Sequence, residues 1–496
     1  MITGIFFRLR IFSVFLFCLL NIISTQVPRL GLIVALLEYY IVFECISKGK
    51  FTKAFIALII FCSLTMEHDM AIYLSGEAPF ERYSFFHLPI VGPFLLFFVV
   101  FFVFWNVYRS KYKLVNAIAS KPVKRLKKWL IALLLTGVLS SIIALSMNDN
   151  GVLGTSFYMV VSIVETTKYL CVCCIIAGSL LIASTNVGRE ELTASCVDLL
   201  IGSTLSSLLF LVLTGITGFY NKEEGILLSP LVVSFSPLLL VFGQKCDGWK
   251  KMVCNITGIS IIITSFFFPM FMGSKWYLIL LATFLGFIGI KFGKSSIKYA
   301  LIGLGVLFVA AIPILLSLAR SSENTFISWK LSQALALFDF ASYSSVENWF
   351  FVLEDSPKFR IDEFINISLE YIAKPFYFFF GKGFGGTTLH HTTLLYWESG
   401  NGTFSAEQIA NRAYYGMHES VNVLYLRHGL FGLLFFLAVL RDLFRSLSKS
   451  PLTVIAIIWV LFFWNWSYSL WLGAMAVGVA VSTTQSQLSI TKMYEK

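Results

Sequence analysis

Apolar runs of about 17–25 residues recur from one end of this chain to the other, each long enough to cross a hydrocarbon core roughly 30 Å thick. In lipid, every backbone polar group must be satisfied inside the protein, so such runs fold as helices. The fold expected is therefore all-α, a polytopic transmembrane helical bundle in a single integral membrane domain spanning residues 1–496. Composition agrees: 57% of the 496 residues are hydrophobic, 13% are charged, and the mean hydropathy is +0.80. No long polar stretch marks a separate soluble domain.

The apolar runs place spans near 10–27, 30–46, 52–67, 87–107, 129–147, 156–184, 194–216, 226–243, 252–272, 275–291, 298–319, 418–440, 451–466 and 468–484, about 12–14 in all. The stretch 156–184 is long for one span and contains Glu165 and Lys168, which suggests a tilt or a break. Residues 451–484 read either as two short spans or as one span with a re-entrant piece. No cleavable signal is evident in MITGIFFRLRIFSVFLF; its basic residues precede a first span that is retained.

The net charge of +11 invites a nucleic-acid partner, but its placement argues for a membrane. Residues 108–129 carry eight basic residues and no acidic one, between two apolar spans. Other short basic loops fall on the same side, which is the cytoplasmic side by the positive-inside rule. Both termini are expected there. Residues 321–417 fall opposite, with ten acidic and six basic residues, as one large external loop. Within it, IDEFINISLEYIAKPFYFFF at 361–380 reads as one amphipathic helix on the outer membrane face, and GKGFGG at 381–386 as a flexible turn ending it. That turn lacks the spacing of a phosphate-cradling P-loop. The nine cysteines imply neither a disulfide framework nor a metal site; CVCC at 171–174 reads as packing.

The six histidines all fall in the membrane or on the external side. His390 and His391, adjacent, read as loop residues, and no pair shows metal-ligand spacing. His418 heads the segment HESVNVLYLRHGLFG, with Asn422 one turn along the same helical face and Gly429 and Gly432 leaving a shallow strip for a neighbouring helix. On residue physics alone it is equally an interfacial anchor or a proton-transfer group. Basic residues on the outer side stand out: Lys275, Arg320, Arg360, Arg412 and Arg427. Guanidinium groups converging on one pocket would suit a phosphorylated lipid, because their planar fork matches phosphate oxygens.

HESVNVLYLRHGLFG resembles the signature of O-antigen ligases and the related O-antigen and exopolysaccharide polymerases: a His, then Asn, Ser or Gln, nine residues, Gly, two residues, then Gly, Thr or Tyr. His418, Gly429 and Gly432 occupy its fixed positions, and Glu419 departs from it. SPKFRIDEFINISLEYIAKPFYFFFGKGFGG, 356–386, is similar to the family's external stretch, with Arg360 preceding an amphipathic helix and Gly381, Gly383 and Gly385 around the turn. MGSKWYLILLATFL at 272–285 resembles the family's Ser-Arg opening of a span, but Lys275 keeps only the charge and not the fork. The similarity covers residues 272–440; the N-terminal half matches only in hydropathy and topology.

The resemblance implies a membrane glycosyltransferase of the bacterial inner membrane that works on undecaprenyl-diphosphate-linked glycans at the periplasmic face, without metal or cofactor. A polymerase joins repeat units and is the preferred reading; a ligase passes the chain to lipid A-core. A glycan transporter, which would show repeated halves, is the other class. Carried over residue by residue, the resemblance gives His418 the acceptor hydroxyl or the diphosphate, Glu419 the part of base or tautomer-fixing partner, and Arg360 and Arg412 the leaving diphosphate. Lys275, Arg320, Arg427 and Asn422 join them as substrate-binding candidates. Partners implied are the lipid-linked glycans, membrane lipids and a chain-length regulator.

Overall fold

The computed structural model describes residues 2–24, 27–65, 84–85, 88, 94–115, 120–147, 155–217, 230–267, 276–293, 295–304, 306, 355–391, 408–409, 414–415, 417, 419–447, 449–464 and 471–483. Among these, the regular structure is helical: α1 (Ile2–Arg8), α2 (Arg10–Ser24), α3 (Pro28–Ser47), α4 (Phe51–Leu64), α5 (Phe94–Val115), α6 (Lys121–Ser146), α7 (Thr155–Ile182), α8 (Asn186–Thr217), α9 (Leu239–Gly243), α10 (Gly248–Phe267), α11 (Trp276–Phe292), α12 (Asp355–Ala373), α13 (Pro375–Phe380), α14 (Ser420–Ser446), α15 (Leu452–Phe462) and α16 (Trp471–Thr483). The one β-type pairing among the described residues joins Thr388 to Tyr414.

Among the described residues, six helices are long and apolar enough to cross a membrane: Arg29–Ser47, Phe94–Lys111, Lys121–Ser146, Tyr158–Ile182, Asn186–Leu213 and Ser420–Ser446. They expose large apolar side chains such as Phe98, Leu135, Leu139, Ile142 and Leu437, a pattern that suits lipid and not water. The chain is a multi-pass helical membrane protein. Several expected spans change in detail. The stretch 156–184 is unbroken as α7; Lys168 and Glu165 pair at 2.8 Å one turn apart, which offsets the cost of both charges. The stretch expected at 226–243 contains a 3-10 segment, Leu231–Leu238, before the short α9, because Pro237 cannot donate to a helical ladder. Residues 451–484 contain two separate helices, α15 and α16. Most of the run 298–319 lies outside the described residues, as do His68 and His87.

The chain divides into two compact units. Unit 1 comprises Met1–Leu134, Val164–Lys291 and Phe435–Lys496. Its helices meet at small residues, the usual way to bring helical backbones together in lipid. A side chain on Gly202 of α8 would strike Ile11 and Val14 of α2, one on Gly473 the Trp459 ring, and one on Gly478 the α7 backbone at Ile176. Several charges inside the unit are paired. Asp198 accepts from Arg10 Nε at 2.8 Å and from Lys250 Nζ at 3.1 Å. Arg125 grips Asp442 through two parallel bonds of 2.8 and 2.6 Å. Glu38, fully buried, accepts from Asn21 at 2.9 Å. Asp198→Ala removes the one carboxylate that Arg10 and Lys250 share. It is expected to cost about 1–3 kcal/mol, read as a lowered melting midpoint in detergent; an unchanged midpoint would show that this network does not hold α2, α8 and α10 together.

Unit 2 comprises Leu135–Ile163 and Phe292–Leu434. Its core is aromatic: Tyr158, Phe359, Tyr371, Tyr377, Tyr414 and Tyr425 gather with Ile367, Met417, Val423 and Leu426. The expected single helix at 361–380 is two helices. Lys374 precedes a proline, whose ring drives the preceding residue out of the helical region, and it sits at φ −133°, ψ 81°. Pro375 then opens α13, where its missing N–H costs nothing.

Candidate functional site

The sequence-predicted residues that the structure describes all lie in unit 2. Three of them meet. Arg360 Nε on α12 donates to Glu419 Oε1 at 2.5 Å, one residue before α14 begins. Asn422, a turn further on, donates both to the Arg360 carbonyl and to Glu363 Oε2, each at 2.8 Å. Asn422 therefore tethers the Arg360 backbone. Glu419, the departure from the family signature, is the partner of the arginine in the other motif. Both members of the pair keep part of their surface open, with side-chain exposures of 26% and 16%, so a ligand can reach them.

The α12 helix has a polar and an apolar side, and it is the polar one that packs inward. Asp362, Glu363 and Asn366 are completely buried in its middle, so its polar stripes face protein. Its outward residues include Phe364, Leu369 and Ile372.

The α14 helix is interrupted at Gly429, which takes φ 56°, ψ −142°. A break there leaves the last carbonyls of the first half without helical donors, and something must satisfy them. Lys382 N–H donates to Leu426 O at 2.8 Å and Gly383 N–H to Arg427 O at 3.0 Å. The Tyr371 hydroxyl donates to Leu426 O at 2.7 Å and Tyr425 O at 3.0 Å. Burial pushes the Tyr371 phenol well above its ordinary value, so it stays a donor. The turn GKGFGG thus replaces the missing helical turn of α14, and the two motif segments close on one another.

This bears on two expectations about glycine. The turn is not flexible: Phe384 N–H also donates to Ser141 Oγ at 2.8 Å, Gly386 N–H to Gly383 O at 3.1 Å, and Tyr158 OH to Lys382 O at 3.2 Å. With the amides of 382, 383, 384 and 386 so engaged, they offer no phosphate cradle. Of the strip expected at Gly429 and Gly432, the first glycine does meet a neighbouring helix, α13, and the second does not. Gly429 lies against the backbone of Phe378 and Phe379, and Gly432 against the carbonyl of Leu424 in its own helix. Gly381, at φ 70°, lies against the backbone of Arg427, and Gly383, at φ 79°, against Ser141. Gly385 packs on Tyr158 and Ser162. These close approaches, with positive φ at Gly381, Gly383 and Gly429, account for the absence of side chains.

Of the other expected residues, Arg427 reaches the site through its carbonyl, while His418, Arg412, Lys275 and Arg320 lie outside the described residues. Residues not anticipated fill the same region. His428 is buried beside Thr136, with Nδ1 3.5 Å from Oγ1, and stands edge-on to Phe384 at 5.4 Å. Glu370 and Lys382 form a buried ion pair. A polar residue every fourth position, Asp362, Asn366 and Glu370, was the available signal for the buried stripe. Nothing in the sequence marked His428 beyond its place before Gly429. Among the described residues, no three His, Cys, Asp or Glu side chains gather as metal ligands would.

No family model, curated protein or solved structure matches the chain.

Proposed function

We propose that this chain is a membrane glycosyltransferase that polymerises undecaprenyl-diphosphate-linked oligosaccharide repeat units at the periplasmic face of the bacterial inner membrane. One observation carries the reading. The segments 356–386 and 418–432, far apart in sequence, interlock through Arg360 and Glu419 and through the turn seated on the broken α14.

The chemistry follows from those residues. The acceptor hydroxyl attacks the anomeric carbon of the donor sugar, a carbon–oxygen bond forms, and the bond to the diphosphate breaks. Negative charge grows on the departing diphosphate, and fixed cations there lower the barrier. Arg360 is the cation best supported by geometry, with Arg412 and Lys275 proposed beside it and Arg320 and Arg427 as further contacts. The hydroxyl proton passes to a base near the start of α14, for which His418 is proposed. Glu419, engaged by Arg360, is better suited to holding that arginine than to taking the proton.

Deleting the gene and separating surface polysaccharide on a gel tests the reading. Lipid A-core bearing a single repeat is the expected result. Bare core with polymer retained on the lipid carrier would make the chain a ligase. Polysaccharide of unchanged length and amount would overturn both.

A further inference from the structure

The buried carboxylate of Glu370 has no part in the transfer step described above, yet it gathers four donors. Its Oε1 accepts from the Leu389 backbone N–H at 2.6 Å, from Thr388 Oγ1 at 3.1 Å and from His391 Nε2 at 3.0 Å. Its Oε2 accepts from the Lys382 ammonium, which also donates to Thr387 O at 2.9 Å. Lys382 is 5% exposed, so this is an ion pair inside the protein, beside the aromatic core.

The rest of the stripe holds the same stretch of chain. Asn366, one turn before Glu370, accepts from His391 N–H at 2.6 Å. Asp362, one turn earlier again, faces His390 Nε2 at 3.8 Å. Side chains four apart share a helical face, so α12 presents one row of acceptors to residues 387–391. Thr388 also exchanges two backbone bonds with Tyr414, at 2.9 and 3.0 Å. Tyr414 stands four residues before His418 and five before Glu419. Glu370 is thus connected, through Thr388 and Tyr414, to the segment that leads into α14.

We propose that Glu370, neutralised by Lys382, is a positioning residue for glycan transfer: it clasps 387–391 to α12 and so sets the approach of the chain to His418 and Glu419. This rests on the transfer reading above. A buried ion pair adds little stability compared with well-packed apolar groups. Its contribution here is orientation. Apolar side chains would fill the same space but could not hold Leu389 N–H, Thr388 and Lys382 on one point.

Two readouts on the full-length protein test the proposal. The first is hydrogen exchange in detergent. Glu370→Gln should speed exchange in peptides covering 387–391 and 414–417 by about tenfold or more, leaving α14 protected. The second is transfer in membranes supplied with lipid-linked repeat units. Turnover should fall about tenfold or more while KM stays within about threefold, because a clasp orients and does not bind. Glu370→Gln/Lys382→Met removes both charges of the pair together and should fold as the wild type does, without recovering turnover. Wild-type protection in Glu370→Gln would overturn the clasp. Faster exchange with unchanged turnover would overturn its positioning role. Should gene deletion leave the polysaccharide unaltered, the transfer reading fails with its positioning role, and exchange alone then decides whether the clasp exists.

Discussion

Gly429→Ala is expected to abolish polymer formation and to lower the amount of folded protein. At φ 56°, ψ −142° an L-residue is strained by about 1–3 kcal/mol. The added methyl would also lie 2.5 Å from Phe378 O and 2.7 Å from Phe379 C, both backbone atoms that cannot swing aside. The two costs act on the same few residues, so the helix must either straighten or shed the turn. Straightening would return Leu426 O and Arg427 O to the helical ladder and release Lys382 and Gly383 from them. Gly303→Ala is the control: no atom lies within 4 Å of its added carbon, and alanine favours helix by about 1 kcal/mol over glycine. Normal polymer and a normal melting midpoint in Gly429→Ala would show that the break in α14 is not required.

The second large effect is expected at Arg360. Arg360→Ala removes the cation and strands Glu419 without the guanidinium it accepts from at 2.5 Å. Loss of one charge-stabilising group in a transfer site costs about a hundredfold or more in turnover. Arg360→Lys keeps the charge but not the planar fork, and should recover only part of that loss. The Asn422 bond to the residue-360 carbonyl survives both changes, so protein level and melting midpoint should stay near wild type. Membrane transfer assays at matched protein levels give the comparison. Turnover within about twofold of wild type in Arg360→Ala would remove this residue from the transfer site.

The helical, membrane-crossing character was legible because it depends on composition over long windows, and a window of apolar residues has few folded outcomes in lipid. Helix ends were less so. The division between α12 and α13 was written in the sequence as Lys374–Pro375, but the apolar period running through it read as one helix. The site was legible in part, for a related reason. Arg360, Glu419 and Asn422 were marked by residue type and do meet. The glycines were marked too, but glycine serves close packing and positive φ alike, and only the backbone angles distinguish them. The stripe Asp362, Asn366 and Glu370 resembles the solvated face of an amphipathic helix until its partners at 382–391 are known. Polarity alone does not tell a helix which way to turn.

One consequence of the interrupted α14 concerns the order of assembly. The carbonyls at 426 and 427, left without helical donors by the break, are matched by donors at 382 and 383, which the ribosome makes earlier. A span emerging by itself has no such donors and satisfies its backbone best by running straight. The bend therefore belongs to a late step, after residues 381–383 have reached their seat. Until then the newborn helix and its finished form are different shapes of the same segment. Positions that hold the turn, Ser141 and Tyr158 among them, should accordingly affect the rate of maturation before they affect final stability.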